Sequence, residues 1–121
     1  MQDIQPKAIE LNGQPIGGRF PAICAPLVGR TRERLLAEAA AVAARTPDLL
    51  EWRADFFEGI ADPAEVVSLA GQIRLAARGI PLLFTCRSAR EGGEPIALSQ
   101  QQVVGLYRAV CASGHADIVD F

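Results

Sequence analysis

The chain has 121 residues, half of them hydrophobic, and a net charge of −2. That is enough apolar material for one core. Its Lys and Arg residues are scattered, which excludes the basic stripe of a nucleic-acid binder and the cationic face of a membrane-surface helix. No apolar run approaches a membrane span, and Met1–Lys7 has no apolar signal region, so the expectation is a soluble, cytoplasmic protein.

Cys24, Cys86 and Cys111 lie far apart in apolar segments and form no C-x-x-C pair. They read as buried, reduced thiols. The single histidine, His115, has no spaced partner ligand, so no metal site is expected.

Taken in chain order, Lys7–Leu11 and Ile16–Gly18 flank Asn12-Gly13, a two-residue hairpin signal. This hairpin could cap one end of a barrel. A regular alternation then begins at Pro21. Ala22–Val28 is a short apolar strand, and Thr31 with Glu33 opens a helix over Arg32–Arg45. Leu49–Ala54 is the second strand. Asp62-Pro63 with Glu65 supplies a cap, a first-turn proline and a capping-box acid for a helix that reaches about Arg78 and stops at Gly79. Pro81–Cys86 is the third strand. Ser99 and Gln102 repeat the capping box for a helix ending near Gly114, and Asp117–Phe121 is the fourth strand. Such alternation implies a parallel sheet with right-handed crossovers. An open doubly wound sheet and a TIM-type barrel both fit, although Gly29-Arg30-Thr31 lacks the glycine-rich phosphate loop of dinucleotide folds.

Alternation in the second strand puts Leu50 and Trp52 on one face and Glu51, Arg53 and Asp55 on the other. In the third, Leu82, Phe84 and Cys86 oppose Leu83, Thr85 and Arg87. Each strand therefore has an apolar face for covering helices and charges near its C-terminal end. Glu51, Arg53 and Arg87 would suit a small, anionic, hydroxylated ligand, because arginine offers a fixed fork of donors and glutamate accepts from hydroxyls. For the tripeptide alone, a salt-bridged strand end is the competing reading, with Glu51 paired to Arg53 or Arg87. The charged, glycine-bearing loop Arg87–Glu94 beside a strand end weakens it.

Glu51-Trp52-Arg53-Ala54-Asp55 resembles the E-W/L-R-x-D motif of the type I 3-dehydroquinate dehydratases. The run from Phe84 through Thr85, Arg87, Ser88, Glu91, Gly92 and Gly93 to Glu94 is similar to that family's T-x-R-S/T-x-x-E-G-G motif, and Asp117-Ile118-Val119-Asp120 to the opening of its fourth strand. The resemblance implies the α/β fold of a TIM-type (β/α)8 barrel. Residues 1–121 would form a single domain: the hairpin within 1–20, then a (βα)3β N-terminal half-barrel over 21–121. It also implies a lyase of the shikimate pathway, which removes water from 3-dehydroquinate by syn elimination to give 3-dehydroshikimate. A lysine Schiff base serves as electron sink and a histidine moves protons, with no cofactor or metal. By this resemblance Glu51, Arg53 and Arg87 bind substrate, and Glu91 orients the catalytic histidine. Trp52 faces the helices as core. Pro26 stands where some members have a serine, so no side-chain contact is expected there.

The implied histidine and lysine belong to strands beyond Phe121. His115 lies in the turn before the fourth strand, read as a solvated loop residue at the wrong end, and Lys7 is the only lysine. A TIM barrel takes about 250 residues. The expectation is therefore a fragment, a natural truncation or half of a split enzyme, inactive alone. The alternative is a non-catalytic half-barrel that binds a polyhydroxy carboxylate or assembles with another half-barrel. Its unprotected edge strands suggest a homo-oligomer.

Overall fold

The computed structural model describes residues 8–11, 13–18 and 21–121. Strand β1 (Ala8–Leu11) pairs antiparallel with β2 (Gln14–Gly17), and Leu11 opposite Gln14 leaves a two-residue connection. Gly13 takes φ 74 there, a left-handed conformation that glycine adopts without steric cost. The hairpin thus forms where expected. Lys7 and Asn12 lie outside the described residues.

Four parallel strands follow: β3 (Cys24–Leu27), β4 (Leu49–Arg53), β5 (Leu82–Thr85) and β6 (Ile118–Asp120). Each is shorter than the segment read from the sequence. Their order in the sheet is β3-β4-β5-β6. A doubly wound sheet reverses its order and places helices on both faces. Here there is no reversal, and α1 (Arg32–Ala43) packs on α2 (Pro63–Ala76), which packs on α3 (Gln100–Ser113). One helical layer on one face is the half-barrel arrangement.

The helix starts follow their capping residues. The Thr31 hydroxyl accepts from Arg34 N–H, and Asp62 accepts from Ala64 and Glu65 N–H with Pro63 at the first helical position. Glu65 contributes its backbone N–H. At α3, Ser99 and Gln102 form both bonds of a capping box, and Gly114 ends the helix at φ 73.

The outward face of the sheet makes the core. Leu27, Leu50, Trp52, Leu82 and Phe84 are fully buried against Leu35 and Ala39 of α1, Leu69 and Ile73 of α2, and Leu106 and Val110 of α3. Each large side chain contributes about 1.5–3 kcal/mol by leaving water. Trp52 is core, with edge-on contacts to Phe57 at 6.1 Å and Phe84 at 5.5 Å. Its Nε1–H has no hydrogen-bond partner among the described residues, so packing alone holds the indole. Among those residues no helix is long and apolar enough to cross a membrane.

The cysteine expectation needs correction. Only Cys86 is buried, whereas Cys24 and Cys111 are exposed, all three free. Cys24 alternates onto the uncovered face of an edge strand, and Cys111 looks out from α3. An apolar neighbourhood in sequence did not specify which face each thiol takes.

Candidate active site

The inward face of the sheet is built in rows set by the parallel register. Pro26 aligns with Glu51, Glu51 with Leu83, and Leu83 with Ile118. The next row, nearer the C-terminal ends, runs Arg53, Thr85, Asp120. Functional groups in parallel α/β folds gather at these ends, where loops converge.

Glu51 and Arg87 do come together. Thr85 donates its hydroxyl to Glu51 Oε2 at 2.9 Å, and Arg87 Nη2 stands 4.0 Å from the same oxygen. Arg87 Nη2 also donates to Asp120 Oδ2 at 3.3 Å. The result is a string of alternating charge across β4, β5 and β6. Arg53, one row nearer the strand end than Glu51, does not pair with it. The chain leaves the strand after Arg53 in a 3-10 turn, Ala54–Phe56, and the guanidinium grips Asp55 through Nε at 3.0 Å and Nη2 at 2.9 Å. That fork raises the Arg53 pKa further. Arg53 also lies over the Phe56 ring at 5.1 Å, with Arg30 near the same ring at 5.5 Å.

Asp55 was expected on the open face with Glu51. The turn instead carries it beneath the loop after β5, where it is 3% exposed. Burial pushes its carboxyl upward, but hydrogen bonds from Arg53 and from the Glu94 and Arg87 amides outweigh that and hold it below the usual carboxylate range.

The loop itself is closed tightly. After a 3-10 turn at Ala89–Glu91, Gly92 takes φ 89, and Gly93 N–H donates back to Ser88 O at 2.8 Å. A Cβ at Gly93 would lie 2.1 Å from the Arg87 carbonyl oxygen, so no side chain fits. This is the physical reason for two consecutive glycines. Glu91, on this loop, is exposed and lines a cleft of about 160 Å³ with Thr85, Arg87, Ser88, Tyr107 and Asp120.

Tyr107 of α3 fastens the floor of the cleft. Its hydroxyl accepts from Cys86 N–H at 2.7 Å and donates to the Asp120 carbonyl, tying the ends of β5 and β6 together. Burial is the main cause that pushes Tyr107 up to about 12 and Cys86 up to about 11. No local sequence pattern marked Tyr107, because its partners are backbone groups of Cys86 and Asp120, on elements other than its own helix. Asp55, Thr85 and Asp120 were visible as same-face or motif residues, yet their partners were not.

The sequence profile described as Type I 3-dehydroquinase matches residues 23–121. The chain belongs to the type I 3-dehydroquinase family. Among curated relatives, the 3-dehydroquinate dehydratase of Aromatoleum aromaticum is 52% identical over 95% of this chain and 45% of its own length. That of Albidiferax ferrireducens is 54% identical over 95% of this chain and 44% of its own. The crystal structure of 3-dehydroquinate dehydratase from Geobacillus kaustophilus superposes with a TM-score of 0.93 at 49% identity, over 99% of this chain and 47% of that one. The chain thus spans about half the length of the dehydratases it matches.

Within this dehydroquinase half-barrel, His115 is not the solvated loop residue expected. It is half-buried: a Cβ at Gly71 of α2 would meet its ring at 3.0 Å, and its carbonyl accepts from Arg74 at 3.0 Å. It does lie before β6, at the end away from the rim. Ile16 of the hairpin lines a groove at that same end with Thr46, Pro47, Gly79 and Pro81.

Proposed function

We propose that this chain supplies the substrate-gripping rim of a 3-dehydroquinate dehydratase. The observation that carries the reading is the convergence of Glu51, Thr85, Arg87 and Asp120 on one uncovered sheet face at the strand ends. A polyhydroxy carboxylate matches that chemistry. Arg87 offers forked donors to a carboxylate or hydroxyl oxygen, and Glu51 accepts from a hydroxyl. Arg53 adds a second cation in the same row. Glu91 borders the cleft, in position to orient a histidine contributed by the other half of a barrel. The Schiff-base lysine and that histidine are supplied from outside residues 1–121, and the elimination needs no cofactor. We place the protein in the cytoplasm, where exposed Cys24 would stay reduced.

The test is a chimeric barrel in which residues 1–121 replace the matching half of a relative dehydratase. It should convert 3-dehydroquinate to its conjugated enone, and Glu51→Ala or Arg87→Ala should weaken its hold on the substrate and raise KM. The 121-residue chain alone should form no borohydride-trapped adduct with the substrate, since its only lysine, Lys7, precedes the parallel strands in the sequence and follows none of their C-terminal ends. A chimera that folds but never dehydrates 3-dehydroquinate would refute the reading.

A second reading has its own observation. Ile23 beside the β3 edge is 68% exposed and Phe121 beside the β6 edge is 81% exposed. These flank a sheet whose two edges have no further strand partner among the described residues, which suits assembly with another half-barrel, either a second copy or a complementing partner.

A further inference from the structure

Four donors converge on the single buried carboxylate of Asp55. Oδ1 receives Arg53 Nε–H at 3.0 Å and Arg87 N–H at 3.3 Å; Oδ2 receives Arg53 Nη2–H at 2.9 Å and Glu94 N–H at 3.0 Å. A carboxylate has about four acceptor sites, and here all are used. Its side chain is fully buried, so no water competes for them.

The two backbone donors are the first and last residues of the 87–94 loop, and between them the loop is hydrogen-bonded to itself. Glu91 and Gly93 N–H both donate to Ser88 O, at 3.0 and 2.8 Å. Fixing the two ends therefore fixes the height and tilt of everything the loop carries. The side-chain ion pairs on this loop are more exposed: Arg30 to Glu94 at 3.2 Å joins side chains 61% and 35% exposed, and Arg87 to Asp120 at 3.3 Å joins side chains 33% and 53% exposed, where solvent screens each pair.

We propose that Asp55 is the positioning residue of the rim. One buried carboxylate sets the plane of the Arg53 guanidinium and holds both ends of the loop that presents Arg87 and Glu91. Its consequence for catalysis rests on the dehydratase reading, but the clasp exists without substrate and is tested without it. Asp55 stays charged because burial, which would raise its carboxyl, is outweighed by the donors around it. Asparagine keeps the shape but replaces one acceptor oxygen with a donor nitrogen, so it cannot satisfy all four groups.

The experiment is amide exchange on the full 15N-labelled 121-residue chain. In Asp55→Asn, the Arg53 Nε–H resonance should lose its protection and the Glu94 amide should exchange about tenfold faster, while α2 interior amides keep their rates. Uniformly faster exchange in α2 and the loop alike would mean a merely stabilising role and would overturn the proposal. So would unchanged Arg53 and Glu94 signals. If Asp55→Asn does not fold, two loop variants decide, since both leave the Asp55–Arg53 pair intact. Glu94→Pro removes the N–H donor and should speed tryptic cleavage after Arg90 about tenfold, whereas Glu94→Gln, which loses only the ion pair, should match the wild type. Equal rates in the two variants would overturn the clasp. Turnover by the chimeric barrel reports separately on the dehydratase reading, so the two ideas can fail independently.

Discussion

Thr85 donates its hydroxyl to Glu51 Oε2 at 2.9 Å, one step diagonally from its register partner Arg53. Thr85 is 1% exposed, so this bond joins a buried hydroxyl to a half-buried carboxylate. Hydrogen bonds to charged groups are stronger than neutral ones. Thr85→Val should therefore cost about 1–2 kcal/mol of unfolding free energy in the wild type. In a Glu51→Ala background the same change should be nearly neutral, since valine fills the same volume. Urea denaturation of the four proteins in the cycle should give a coupling of about 1 kcal/mol or more; additive effects would show that the bond contributes nothing.

Alkaline pH should loosen the ends of β5 and β6. Cys86 rises from 9.0 to about 11 and Tyr107 from 10.0 to about 12, burial being the main cause of each. Both groups are neutral when protonated and their folded values are raised. Their stabilising contribution is thus fully present below the unfolded values and is lost as pH climbs through the folded ones. Stability should fall between pH 9 and 12. Tyr107→Phe should remove the upper part of that decline and, by leaving Cys86 N–H without its acceptor, cost about 1–3 kcal/mol at neutral pH. Thermal unfolding followed across that range checks both statements.

Arg87 and Glu91 should separate kinetically in the chimeric barrel. Arg87 faces Glu51 and Asp120 on the open sheet face, whereas Glu91 borders the cleft from the loop. Arg87→Ala should mainly raise KM. Glu91→Gln should leave KM nearly unchanged and lower kcat by about 10- to 100-fold, within the range of general acid–base effects. An unaltered kcat in Glu91→Gln would end its assigned role.

The 121-residue chain should self-associate. Among the described residues β3 and β6 each have one neighbour in the sheet, and Ile23 and Phe121 beside them are 68% and 81% exposed. Edge strands without protection pair with other chains. Sedimentation equilibrium at tens of micromolar should show dimers or larger species, and a stable monomer would contradict the expectation.

Short-range patterns carried much of this protein's structure. Asn12-Gly13 marked the hairpin, Thr31, Asp62 and Ser99 marked the helix starts, and alternation in β4 sorted Trp52 to the core and Glu51 to the open face. All of these depend on residues within one turn or one strand, so the sequence alone determined them. The motif around Glu51, Arg53, Arg87 and Glu91 pointed to the family for the same reason. Strand order is different, because it depends on which distant segments pair, and periodicity is identical in a barrel and an open sheet. Tertiary structure decided that, and with it which thiols are exposed and that His115 packs against Gly71. It also decided the partners of the polar residues. Arg53 turns to Asp55 rather than Glu51, and Tyr107 finds Cys86 and Asp120, because a hydrogen bond needs a donor and acceptor within about 3 Å, a distance set by the packing of separate elements rather than by spacing along the chain.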